Sequence, residues 1–180
     1  VQITQEGIPF VRGNSTTFGL SYIPGSWIES IQIVKGSGSV VNGYEAFTGQ
    51  INIELYKPEN ADRFNLNYFM NKDGKIENNL YYSNKNSNWR NVILTHFSTH
   101  NKEIDHNNDS FMDHPKFTQI NLLNRLHYEG SDKFRIQFLT RYLFEYRDGG
   151  QLSSMNNRYK VFIENEIIDF GAKFGYVGSD

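Results

Sequence analysis

From Arg63 onward the chain alternates between apolar and polar residues. "RFNLNYFMN" sets Phe64, Leu66, Tyr68 and Met70 against Asn65, Asn67 and Asn71, the period of two that predicts a strand with unlike faces. "KIENNLYYSN" places Ile76, Leu80 and Tyr82 on one parity, and "TQINLLNRLHYE" opposes Ile120, Leu122, Leu126 and Tyr128 to Asn121, Arg125, His127 and Glu129. In "KFRIQFLTRYLFEYR" the set Phe134, Ile136, Phe138, Tyr142, Phe144 and Tyr146 faces away from Arg135, Gln137, Arg141, Glu145 and Arg147. "IIDFGAKFGYV" repeats the pattern with Ile168, Phe170, Ala172, Phe174 and Tyr176 against Asp169 and Lys173. "NWRNVILTHFSTH" is the least regular segment, apolar on both parities around Val92, Ile93 and Leu94. The predicted architecture is all-β, with six strands after residue 62, several of them longer than the usual five or six residues.

Two media fit such alternation. A water-borne antiparallel sheet packs one face and wets the other; a transmembrane β-barrel turns its apolar face to lipid and its charged face to a hydrated lumen. The chain leaves no second sheet to cover six apolar faces, and aromatic residues gather near strand ends (Tyr81, Tyr82; Tyr142, Phe144, Tyr146; Phe174, Tyr176). Both features favour an incomplete barrel. The connections "KDG", "KNS", roughly 101–117, "GSD" and roughly 148–157 place the two long ones on the same end, as membrane barrels do with their outer loops. "KDG" is short for such a loop.

Residues 1–58 have another texture, with short strand candidates "GIPFVRG", "SYIPGSWIESIQIVKG" and "GQINIELYKP" separated by glycine and proline. The predicted organisation is therefore 1–58 followed by 59–180. The chain opens on "VQITQEG" without methionine and reads as a piece of a longer polypeptide.

Composition sharpens this picture at a few points. Aromatics make up 15% and the net charge is −2, with no basic stripe for nucleic acid. There are 180 residues and no cysteine, which removes disulfides, thiolate metal sites and a cysteine nucleophile. No nucleophile elbow, zincin motif or phosphate loop is present, and "GSGSVVNG" lacks the Gly-Lys-Ser/Thr ending of a phosphate loop. The chain does not read as an enzyme, and no cofactor is required.

"DHNNDSFMD" sets Asp105, Asn107, Asp109, the Phe111 carbonyl and Asp113 at positions 1, 3, 5, 7 and 9, the oxygen spacing of a calcium loop. Ser110 replaces the glycine at position 6, and Lys116 stands where the bidentate glutamate would be. Calcium is therefore a candidate ligand, and a solvated acidic turn is the competing reading. His96, His100, His106 and His114 crowd one stretch and are weaker candidates for a metal or metal chelate. Arg135, Arg141, Arg147 and Glu145 read as residues that brace the first segment or line a hydrated interior rather than bind substrate.

The stretch "IESIQIVKGSGSVVNGYEAFTGQINI" carries a resemblance. Ile28, Glu29, Ile31, Ile33, Lys35, Gly36, Gly43, Ala46, Gly49, Ile51, Asn52 and Ile53 match the end of the plug domain in TonB-dependent outer-membrane receptors. Lys35 replaces the family's arginine, Ser37 its proline, Asn42 its tyrosine and Thr48 the first glycine of a pair. "NGYEAFTGQINIE" and "FMDHP" resemble the subgroup common in the Bacteroidetes. The resemblance implies that 1–58 is the end of a plug and that 59–180 is the start of an outer-membrane barrel of about 22 strands. It implies energised uptake of a siderophore, metal chelate, oligosaccharide or peptide across a bacterial outer membrane. It also implies contact with lipid, coupling to a TonB-type complex through a segment preceding Val1, and a surface lipoprotein as a candidate partner. Within the motif, Lys35, Gly36, Gly43, Gly49 and Asn52 are the marked residues, and the glycines suit an element that must rearrange. A calcium-stabilised surface or adhesion protein without transport is the alternative, and a water-borne β-sandwich subunit is a third reading.

Overall fold

A computed structural model describes residues 1–11, 13–36, 44–131, 133–176 and 178. The chain divides into two compact units, Val1–Asn60 and Ala61–Asp180.

The first unit holds a four-stranded sheet in the order β2-β1-β4-β3, built from β1 (Gln2–Gln5), β2 (Ile8–Pro9), β3 (Ile28–Val34) and β4 (Gln50–Leu55). β1 runs parallel to β4, pairing Ile3 with Ile51 and Gln5 with Ile53, while β3 lies antiparallel on β4's other side. The expected strand "SYIPGSWIESIQIVKG" forms over Ile28–Val34, while the part before it holds 3₁₀ structure at Gly13–Tyr22 and Gly25–Trp27. These turns bury Tyr22, Ile23 and Trp27, which join Ile53 and Leu55 among the unit's buried residues. The physical reason is volume. A four-stranded sheet of short strands cannot enclose a core alone, and compact turns carry large side chains onto it.

The second unit is a six-stranded antiparallel meander in the order β10-β9-β8-β7-β6-β5. Its strands are β5 (Phe64–Met70), β6 (Lys75–Asn86), β7 (Trp89–His100), β8 (Lys116–Ser131), β9 (Phe134–Gly150) and β10 (Lys160–Tyr176). The all-β, antiparallel expectation holds, and β8, β9 and β10 reach 16, 17 and 17 residues. These exceed the usual five or six residues of a strand. β5 and β10 are both edges, and the sheet is open.

The irregular segment resolves cleanly. Val92, Leu94, His96, Ser98 and His100 are buried, whereas Ile93 and Phe97 are exposed. Both apolar parities of "NVILTHF" are thereby accounted for, since the buried face carries aliphatic residues (Val92, Leu94, Leu123, Leu143) as well as polar ones. Among the described residues no helix is long and apolar enough to cross a membrane.

Gly49 locks the first unit. It adopts φ +120°, and a Cβ there would stand 2.9 Å from the Val34 carbonyl oxygen. Its own carbonyl receives the Gln2 N–H at 3.0 Å. Gly49→Ala should destabilise the protein by about 1–3 kcal/mol, seen as a lower denaturant midpoint. Gly25→Ala, where the added methyl meets nothing within 4 Å, should leave the midpoint unchanged.

Candidate functional site

The sheet of the second unit is inside out by the standards of a water-borne protein. Its buried face includes Asn79, Ser83, His96, Ser98, Gln119, Asn121, Arg125, His127, Arg141 and Glu145, with Asn121 and Glu145 at 0% exposure. Its other face presents Phe64, Leu66, Leu122, Ile168, Phe170 and Phe174, and Ile168 and Phe170 are 76% and 72% exposed. Phe134 is exposed, while Phe138 and Tyr142 are half-buried. Phe138 meets Phe170 and Phe174 at 6.5 and 6.4 Å, neighbours on its own sheet rather than an opposing layer. Contiguous apolar surface of this kind marks contact with a membrane or a partner.

Antiparallel register arranges the buried polar groups into a chain across four strands. Lys75 Nζ lies 2.8 Å from Glu77 Oε2, and Asn79 Nδ2 donates to Glu77 Oε1 at 3.1 Å. His96 Nδ1 meets Asn79 Oδ1 at 2.6 Å, and His96 Nε2 meets Gln119 Oε1 at 3.0 Å. Gln119 Nε2 then donates to Glu145 Oε1 at 3.2 Å, and Arg147 Nη2 lies 2.6 Å from that same oxygen. Arg147 and Glu145, expected to line the interior, are thus partners of one another.

At one end of the sheet the two long connections, 101–115 and 151–159, join into a single structure. Phe111 bridges Gln151, Met112 N donates to Gly150 O at 2.9 Å, and Leu152 N donates to Ser110 O at 2.9 Å. Glu103 fastens them. Its carboxylate takes Lys116 Nζ at 2.9 Å and the Ser153 N–H and hydroxyl at 2.9 and 2.8 Å. Lys116 and Arg158 both reach towards Asp148 as well, at 3.4 and 3.9 Å. The Lys116 ammonium, followed by the Ser153 N–H, holds the Glu103 carboxyl down to about 2.

The 105–113 turn lies within this assembly. Asp105 accepts the N–H groups of Asp109 and Ser110 at 3.2 and 2.9 Å, and Asp109 accepts that of Phe111 at 2.8 Å. Asn107 Oδ1 also accepts the Asp109 N–H at 3.3 Å. Ser110, at the glycine position of a calcium loop, has φ +71°. Asp113 turns to His106, whose Nδ1 is 2.6 Å away, and that contact holds its carboxyl below the usual carboxylate range.

The four histidines do not gather. His96 and His100 lie on the buried face, His100 Nε2 standing 3.1 Å from the Asp73 carbonyl, while His106 and His114 belong to the loop. Among the described residues no three His, Asp or Glu side chains converge as a metal-holding group.

In the first unit Asn52 is a junction. Its Oδ1 receives the Thr4 hydroxyl and the Gly7 N–H, both at 2.9 Å, and its Nδ2 donates to Glu54 at 3.1 Å. Lys35 and Gly36 follow β3, with Gly36 at φ +87°. Gly43 lies outside the described residues. Sequence reasoning missed Glu103, Asp148, Ser153 and Arg158, whose meeting depends on two loops distant in the chain. Long connections at one end of a meander were the available signal.

No known family profile matches the chain, and no curated protein does. Solved structures do. The ferripyoverdine receptor of the outer membrane of Pseudomonas aeruginosa superposes with a TM-score of 0.69 at 15% identity, over 96% of this chain and 25% of that one. The copper transporter OprC gives 0.65 at 14%, over 94% and 26%, and the ferric enterobactin receptor PfeA gives 0.59 at 14%, over 96% and 32%. The fold is that of a segment of an outer-membrane receptor. The chain spans about a quarter to a third of the length of these proteins, and they are receptors or transporters rather than enzymes.

Glu103 sets a pH prediction. A carboxyl held near 2, below its ordinary 4.5, contributes stability above pH 4.5 and loses it as the pH falls through 2. Pepsin should therefore leave 101–115 and 151–159 intact near pH 4 and cut both near pH 2. Glu103→Ala should make both susceptible at pH 4 together.

Proposed function

We propose that the chain is part of a TonB-dependent outer-membrane receptor of the Bacteroidetes type. In this reading 1–58 forms the end of the plug and 59–180 opens the barrel. The activity is energised uptake of a scarce solute such as a siderophore, metal chelate, oligosaccharide or peptide, driven through a TonB-type complex. The observation that carries this reading is the reversed sheet, whose exposed face is apolar and whose buried face holds a row of charged and amide side chains among its aliphatic ones. Exposing rows of Phe, Ile and Tyr to water forfeits about 25 cal/mol per Å², which lipid contact recovers. The three structural neighbours support the same class, and those named for ferripyoverdine, ferric enterobactin and copper make metal chelates the first substrates to test.

A calcium role for 105–113 is a second proposal, compatible with transport or with a surface protein that lacks it. It is supported by the Asp105, Asn107 and Asp109 oxygens already ordered around backbone N–H groups and by Ser110 in the left-handed conformation. Asp113 would have to leave His106 to join the ligands. Calcium should protect 101–115 of the full-length protein from proteolysis, and Asp105→Asn should abolish that protection. Equal cleavage with and without calcium refutes the role.

Membrane assembly tests the main reading. Phe138→Arg places charge on the lipid side, at about 2–4 kcal/mol near mid-bilayer, and should block heat-modifiable insertion. Gln137→Arg, on the opposite face, should insert normally. Equal tolerance of both removes the lipid assignment, and uptake that persists without the inner-membrane energy complex removes the coupling.

A further inference from the structure

The outward face of the second sheet carries one group of amides. Asn84 of β6 stands directly across from Asn91 of β7. Asn124 of β8 faces Ile93 and is therefore the diagonal neighbour of Asn91. All three share the parity of the exposed Tyr82, Ile93 and Leu122, opposite to that of the buried Ser83, Val92 and Arg125. The Asn91 Nδ2 donates to the Arg125 carbonyl at 3.1 Å. The side chains of Asn84 and Asn124 form no hydrogen bond with the described residues. The group is also free of charge, because Lys85 and Arg90 alternate onto the other face.

In the membrane reading these amides lie too deep for lipid head groups. Trp89 and Tyr128, with ring centroids 4.7 Å apart, form an aromatic pair at the short-turn end, the kind of pair that stands at a membrane boundary. Asn124 is four residues along β8 from Tyr128, about 13 Å of strand. At a strand tilt of about 40° that is about 10 Å of height, inside an apolar band about 25 Å tall. Asn84 and Asn91 lie one residue pair nearer the boundary. Hydrocarbon offers an amide neither donor nor acceptor, and a polar group left unmatched there is costly.

We infer that Asn84, Asn91 and Asn124 are the contact through which two copies of this protein pair side by side in the membrane. The chemistry selects a second copy as the occupant. An amide both donates and accepts, so identical amide patches satisfy one another, whereas identical charged patches would repel. Depth points the same way. Two copies inserted in the same direction and related by a two-fold axis along the membrane normal bring each residue level with its own counterpart. Amide then meets amide without further matching, while an unrelated partner has to supply polar groups at that same depth. Tyr82, Ile93 and Leu122 flank the amides and provide the apolar packing around them. Pairing of this kind presupposes the membrane reading of the sheet.

The test uses the full-length protein in bilayer vesicles, with oxidative cross-linking as the readout. Asn91→Cys should give a disulfide-linked band at twice the monomer mass. The unsubstituted protein and Phe170→Cys, on the outward face of β10, should not. Adding Asn84→Leu and Asn124→Leu removes amides that bond nothing in their own chain and makes the face more apolar, so insertion should stay heat-modifiable. Side-chain hydrogen bonds in membranes are individually modest, and losing two asparagines from each copy should weaken pairing about tenfold. The cross-linked band should fall accordingly. The inference is overturned by any of four results: no dimer from Asn91→Cys, an equal dimer from Phe170→Cys, a dimer undiminished by the leucines, or a link to a different polypeptide. Insertion without pairing removes the dimer alone, whereas an unsubstituted protein that does not insert removes the membrane reading and the dimer together.

Discussion

Everything in the second unit follows from which medium meets each face of its sheet. The backbone of a meander is satisfied by neighbouring strands, so side chains alone choose the surroundings. Here Glu145 and Asn121 are withdrawn from solvent and Ile168, Phe170 and Phe174 are presented outward. A water-borne sheet would reverse those positions. Lipid tolerates this arrangement because it demands apolar side chains and satisfied backbone groups together.

Turning the polar face inward concentrates groups that must satisfy one another. Because facing residues in an antiparallel ladder lie about 5 Å apart, short polar side chains connect from strand to strand, as Asn79, His96, Gln119 and Glu145 do. Strand length has a separate consequence. β8 to β10 run to 16 or 17 residues, so 101–115 and 151–159 begin on long paired ribbons and meet over their ends. Glu103 gains three donors there, which turns two connections into one body.

The strands were legible because their signal is local. Phe134 to Arg147 alternate without interruption, and no distant contact is needed to read that. "SYIPGSWIESIQIVKG" was less legible, since Trp27 and Tyr22 belong to 3₁₀ turns whose burial depends on a sheet assembled from β1, β3 and β4. The parallel pairing of β1 with β4 left no trace in the pattern either, because partner choice over some fifty residues is a matter of packing and not of period. Within the candidate site, the motif reading pointed to 105–113 and to the histidines. It did not show that Asp113 would choose His106, nor that both ring nitrogens of His96 would be engaged.

Taken alone, the order of residues settled what each short segment prefers: the period of two, the polarity of each parity, the glycines at the turns and the lengths between strands. These are properties of a residue and its near neighbours. The tertiary structure decided which parity is enclosed, which strands are adjacent and in what register, and hence that Glu77 and Glu145 meet through His96 and that Glu103 meets Ser153. Those outcomes depend on distances between segments remote along the chain, and such distances exist only once the sheet has formed.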